Sequence, residues 1–412
     1  MTDVSEAMTL SKRKQVILLA LVVVSVVAGS FLAWKQSRDA AGSYTELARK
    51  IVAACANSDY HPSCYDEEIP KLMDRGFSME DAFEVTRAVQ QMDNSYQYCH
   101  VLGHYLSAKE TAKDPSKWKD VVARAPLGVC SNGAVHGAFQ ERFRVESLEG
   151  SSIEEIEPEL RGVCEPREGW QPTLMGQATC THAMGHLTMY VTGADIDASL
   201  ELCDRLLPSN PKDTVRQLCY DGAFMQIYQP LEPEDIALIQ GKEVATREAS
   251  VQFCNRFTGA PRGSCISESW PLYRNELDDP GTLPIICDRA SFDDWQHERC
   301  MNGVFYVAMA QSNLSVEWAA GFCSEMTEEY RGMCFGNSAS RLIETDSRNV
   351  ERALLLCQQA TDSGASEPCF DELLKYSGYT FAIGSPEFYA LCNGLPEPWQ
   401  GKCLAQVGRA KL

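Results

Sequence analysis

Positive charge is scarce in this chain of 412 residues. It carries 37 Lys and Arg against 57 Asp and Glu, a formal net charge of −20. Phosphate backbones are gripped by clustered cations that release counterions, so this balance argues against nucleic acid as a partner. No apolar–polar alternation is long enough for a sheet, which leaves an all-α fold. GxSxG, a P-loop and a strand-linked GxGxxG are all missing, which removes the common nucleophile-elbow and phosphate-cradle chemistries. HExxH and Glu-x-x-His are missing too, so neither the zinc-protease nor the ferritin-like di-iron pattern is present, and without CxxCH there is no covalent haem site. Histidine is rare, with seven in the chain, and none of the eighteen cysteines precedes Cys55.

What the N-terminus does have is an almost unbroken apolar run, Gln15 to Trp34, preceded by Lys12, Arg13 and Lys14. Roughly 20 apolar residues at about 1.5 Å each match the hydrocarbon core of a bilayer, so a transmembrane signal-anchor is expected over 15–34. A cleaved signal peptide is the alternative, with Ala28, Gly29 and Ser30 near a possible cut. The run continues past them to an interfacial Trp, which favours the uncleaved anchor. Lys35 and Arg38 follow the span closely and blur the charge rule, but the cysteines all fall on one side of it. Dense cysteine without CxxC pairs fits an oxidising compartment. The expected layout is a cytoplasmic tail (1–14), an inner-membrane anchor (15–34), a linker (35–45) and a periplasmic or equivalent extracytoplasmic remainder.

From Cys203 onward the cysteines fall into close pairs whose first members, Cys203, Cys254, Cys287, Cys323, Cys357 and Cys392, recur at 51, 33, 36, 34 and 35 residues. A period near 35 is the length of an αα-hairpin repeat. The first cysteine of each pair closes an apolar segment (LELC, ALLLC, FYALC), the second opens another (CYDGAFMQIY, CFDELLKY), and polar linkers lie between. Each pair therefore reads as a disulfide across a helix-to-helix turn. Extended backward, Cys55 pairs with Cys64 and Cys164 with Cys180, leaving Cys99 and Cys130 to bond to each other. Helix starts are marked by Ser385-Pro386-Glu387 and by Ser78 with Asp81, an acidic capping box.

A near-35-residue helical repeat with one disulfide per repeat, from about Ala198 to Leu412, resembles the Sel1-like repeat proteins, especially their cysteine-rich secreted bacterial branch. The resemblance is one of architecture rather than of the family's Gly and Ala consensus positions. It implies a solenoid-like scaffold whose surface serves as an adaptor for a protein partner.

Between Tyr98 and Tyr190 the pattern changes. The segments YCHVLGHYLS, CSNGAVHGAF and CTHAMGHLTMY hold five of the seven histidines, each a few residues after a cysteine. His100 and His104 are four apart, as are His182 and His186, so each pair projects from one helix face. His136 adds a fifth imidazole. Such donors suit Zn, Cu, Fe or Ni, and the set is similar to an all-imidazole dicopper arrangement one donor short. A metal site at His100, His104, His136, His182 and His186, holding Zn, Cu or Fe, is the leading expectation; a structural hydrogen-bond network of histidines is its rival, and a proton-handling or anion-binding pocket is a third reading. Gly103, Gly137 and Gly185 adjoin these histidines, and Gly222 and Gly303 have no adjoining histidine. The first three suggest close backbone packing or a bound group, and Gly222 and Gly303 suit simple nesting of helices, which is the alternative for all five. His61 and His297 sit alone in polar segments and are expected at the surface. The expected domain organisation is a helical region with the histidines at 46–197 and disulfide-linked repeats at 198–412, a membrane-anchored protein whose metal site either only binds the ion or uses it in redox or hydrolytic catalysis or, alternatively, a non-enzymatic scaffold.

Overall fold

The computed structural model describes residues 42–409 apart from 127, 144–152, 210–213, 231–232 and 290–292. The expected anchor at 15–34 and the tail before it lie outside the described residues. Within those residues no helix is long and apolar enough to cross a membrane.

The described chain is all-helical, with one isolated antiparallel bridge between Arg167 and Trp170 and no strand. Helices begin where a short polar side chain can accept one of the free N–H groups of the first turn. Ser78 does this for α1 (Met79–Met92), where its hydroxyl accepts from Asp81 N and the Asp81 carboxylate accepts in return from Ser78 N at 3.0 Å, the capping box expected from the sequence. Met79, Ala82, Phe83, Thr86, Val89 and Gln90 then line the buried face at helical spacing. Ser385 caps Pro386–Gly394 in the same way, accepting from Phe388 N.

The cysteines are fully paired. Eight disulfides join partners 9 to 16 residues apart across helix-to-helix turns, and Cys99–Cys130 spans 31. The pairing is the one expected from spacing and elimination. The second cysteines sit deeper than expected: Cys180 lies well inside its helix rather than at its opening.

Eight further helices place the histidines: α2 (His100–Thr111), α3 (Gly133–Arg142), α4 (Leu174–Val191), α5 (Thr214–Tyr228), α6 (Gly259–Glu268), α7 (Asp294–Gln311), α8 (Glu328–Thr345) and α9 (Ser366–Thr380). Each of these packs on the next. A solenoid-like array would leave its ends apart, yet α9 packs back on α4, and α8 packs on the turn Cys130–Asn132. Hydrogen bonds seal this return: Ser347 N donates to Gly128 O at 3.0 Å, and Gln97 N to Asn313 Oδ1 at 3.2 Å. The apolar interior forms two clusters, Leu47 to Ile266 and Tyr273 to Cys403, with Leu272 packed against both. Some polar residues of these helices are buried within the circuit, among them Asp221 and Gln226 of α5 and Arg341 of α8.

Candidate metal centre

The histidine helices touch backbone to backbone, and glycine makes that possible. A Cβ on Gly133 would sit 2.2 Å from His100 O, one on Gly137 2.1 Å from His104 O, and one on Gly185 2.0 Å from Cys219 O. Real Cβ atoms do not approach a carbonyl oxygen so closely, so each position demands glycine. The glycines that adjoin histidines in the sequence thus serve the facing helix. Gly222 does the same, with its missing Cβ 2.1 Å from His182 O, whereas Gly303 has open space around it and no nesting role.

The approach to α3 is also held tightly. Cys130, Ser131 and Asn132 have φ of 50°, 51° and 57°, a left-handed conformation that costs a non-glycine residue about 1–3 kcal/mol. The disulfide to Cys99, the donation from Gly128 N to Asn132 Oδ1 at 2.8 Å, and the contact with α8 offset that cost. These constraints fix where α3 starts and so where His136 points.

With the helices in place, the structure brings all five histidine rings together. His100 Nε2 and His104 Nε2 are 3.1 Å apart, and His182 Nε2 and His186 Nε2 3.3 Å. His136 lies between the two pairs, its ring centroid 5.0 Å from both His100 and His104, 5.2 Å from His186 and 5.6 Å from His182. Among the described residues, His100, His104 and His136 are the one group of three or more His, Cys, Asp or Glu whose donor atoms lie within 4.8 Å of one another. His182 is half-buried and the other four are buried, so solvent reaches the cluster from the His182 side.

Burial favours the neutral form at three of the five histidines. It drives the His100 and His136 imidazoles well below their ordinary pKa, with the neighbouring histidines adding to the effect, and His182 falls to about 3 through burial, His186 and the Arg299 charge. Neutral imidazoles are the form that binds metals. Gln226 Oε1 lies 2.7 Å from His186 Nδ1. As the amide is placed, Nδ1 is the donor, which leaves the His186 Nε2 lone pair aimed at His182. His136 Nε2 and His100 Nδ1 are buried without a hydrogen-bond partner. Two nitrogens each about 2.0–2.1 Å from one ion lie roughly 2.9 Å apart at right angles and roughly 3.4 Å apart in a tetrahedron. The two Nε2 pairs fall within that interval.

His61 and His297 stay away from the cluster, each partly exposed, with Asp93 Oδ2 2.9 Å from His61 Nδ1 and Asp288 Oδ1 2.7 Å from His297 Nε2. The structure adds polar residues that the sequence reading passed over. Gln226 orients His186. Arg299 of α7 pairs with Asp221 of α5, Nη1 to Oδ1 at 3.3 Å, and faces His182. Beside them Glu268 is pushed up to about 8 by burial and by the Asp221 charge, and accepts from Gln229 Nε2 at 2.8 Å. Arg341 of α8 neighbours His100. The one signal for these groups was a charged or amide residue on the otherwise apolar inner face of a helix, as in CYDGAFMQIY.

No protein-family model, curated protein or solved structure matches the chain. Function is therefore argued from the site.

Proposed function

We propose that this chain is a membrane-anchored, extracytoplasmic helical protein that binds a transition metal ion, Zn, Cu or Fe, through His100, His104, His136, His182 and His186. The observation that carries it is the convergence of five imidazole rings from three helices, with the donor atoms of His100, His104 and His136 within 4.8 Å of one another and the two Nε2 pairs at separations compatible with a shared ion. The unpartnered His136 Nε2 supports it, since a buried nitrogen without a partner is costly unless something else takes its lone pair. Gln226 on His186 Nδ1 supplies the outer hydrogen bond that metal-ligating histidines ordinarily make. The apolar run 15–34 and the cysteine distribution support the anchor and an inner-membrane, periplasm-facing placement. The disulfide-linked helix pairs support reading residues 198–412 as αα-hairpin repeats, with their outer surface open to a protein partner.

Metal analysis of untagged protein, purified after growth with added Zn, Cu and Fe, tests the centre. About one equivalent or more of one metal is expected, lost in a His100→Ala, His186→Ala double variant. Metal well below one equivalent in the wild type, unchanged in the variant, refutes the reading. The second reading, a scaffold with structural histidines, is favoured by the Nε2 pairs being at hydrogen-bond distance. It predicts that the double variant loses stability and no metal. Membrane fractionation with and without residues 1–34 tests the anchor: wild-type chain found only in the soluble fraction overturns it.

A further inference from the structure

Arg341 lies in α8 at 2% exposure. A guanidinium keeps its charge in any protein interior, so burial demands a partner. Among the described residues no carboxylate forms an ion pair with it, and its Nε and Nη1 have no hydrogen-bond partner. Its carbon lies 3.2 Å from the centroid of the Tyr306 ring and 5.4 Å from that of Tyr98. Those faces cover the cation, and the Tyr98 hydroxyl also accepts from it, which leaves Nε and Nη1 without a partner. Glu344, one turn along, is pushed up to about 7 by burial, which weakens it as a counterion near neutrality.

The position of this cation matters as much as its free donors. The Tyr98 ring stacks on His100, centroids 6.0 Å apart, so Arg341 and the imidazole cluster flank one tyrosine. His100 Nδ1 is also unpartnered. Imidazoles bring no negative charge, and among the described residues no carboxylate joins the imidazole group. A divalent ion there adds two positive charges to that of Arg341 in a poorly hydrated interior. Glu344, the neighbouring carboxylate, makes no ion pair with Arg341, so the Nε and Nη1 donors are left open to an anion with oxygen acceptors.

We infer that Arg341 anchors an anion subsite at the edge of the imidazole cluster, where a small carboxylate or inorganic oxyanion accepts from its unpartnered N–H groups. The subsite stands on Arg341 itself. The anion's further role, as co-ligand or substrate of the bound metal, rests on the metal reading above. The ligand is small because Tyr98 and Tyr306 cover the guanidinium.

Calorimetry on the full chain in detergent tests this, with sodium acetate and sodium phosphate as probes, sodium chloride at matched ionic strength as control, and both chelator-treated and zinc-loaded protein. One-site binding of acetate or phosphate is expected, weakened at least about tenfold in Arg341→Gln, with zinc content unchanged. Binding of the probe by the wild type at the same affinity as Arg341→Gln overturns the subsite, as does no binding by the wild type, which would assign the free donors to water. Zinc bound without either anion removes the subsite and leaves the metal reading. Arg341-dependent anion binding without zinc does the reverse. Should Arg341→Gln not fold, the wild-type thermal midpoint decides: a rise in acetate or phosphate over chloride supports the subsite, and no rise overturns it.

Discussion

Gly222 of α5 lies against the carbonyl oxygen of His182 on α4, and a Cβ built on it would sit 2.1 Å from that oxygen. No histidine adjoins Gly222 in the sequence, yet it sets the height of one. Gly222→Ala should force α4 and α5 apart. Overpacking of this kind costs about 1–3 kcal/mol, read by urea denaturation. Because His182 and His186 move with α4, metal content should fall too. Gly303→Ala, with open space around the position, is the control and should change neither.

Gln226 is the cleanest separation of a metal site from a structural network. With its Oε1 accepting from Nδ1, His186 presents an unprotonated Nε2 to His182. Gln226→Leu keeps the volume and removes that hydrogen bond, and loss of such an outer partner typically lowers metal affinity 10- to 100-fold. The expected result is weaker zinc binding in a competition titration with a chromogenic chelator. An unchanged affinity would show that Gln226 does not tune a ligand.

The helices, the nine disulfides and the identity of the five histidines were legible because each rests on local information: periodicity, caps, spacing. His100 and His104 face one way because they are four apart on a helix, whatever follows them. The meeting of α9 with α4 left no mark of its own, since contacts between residues far apart in sequence depend on the summed geometry of every turn between. Arg341 was invisible for the same reason. Within NSASRLIET it reads as an ordinary helix cation, and its burial against Tyr306 and Tyr98, far away in the sequence, comes from tertiary packing. The misjudged Gly303 shows the limit from the other side: a glycine after CxxG spacing is a pattern, and whether a backbone faces it is tertiary.

Glu344 gives a pH dependence away from the histidines. Burial, with the Glu372 charge adding to it and Arg341 opposing it, raises its pKa from the ordinary 4.5 to about 7. The folded state therefore holds the proton more tightly than the unfolded chain. Its contribution to stability is fully present below pH 4.5 and is lost as pH rises through about 7. Glu344→Gln removes that dependence. Its stability relative to wild type should be similar at low pH and higher above neutrality by of the order of 1–3 kcal/mol, measured by denaturation across the range. Tyr376 and Tyr379, which also face Glu344, are pushed upward by burial and stay neutral throughout.

Cys99–Cys130 should differ in kind from the other eight bonds. It closes a separation of 31 residues where the others close 9 to 16. By loop-closure entropy it constrains the unfolded chain by roughly 4 kcal/mol, against roughly 3 for the shorter loops. It also holds the left-handed turn at Cys130–Asn132 beside His100, so its loss releases backbone strain next to the histidines. A Cys99→Ser, Cys130→Ser double variant should lose both stability and metal. A Cys392→Ser, Cys403→Ser variant, at the far end of the chain, should lose stability alone. Thermal unfolding and metal content measured on the two variants decide it: equal metal retention would mean that the Cys99–Cys130 bond is a staple like the rest, with no part in positioning His100 and His136.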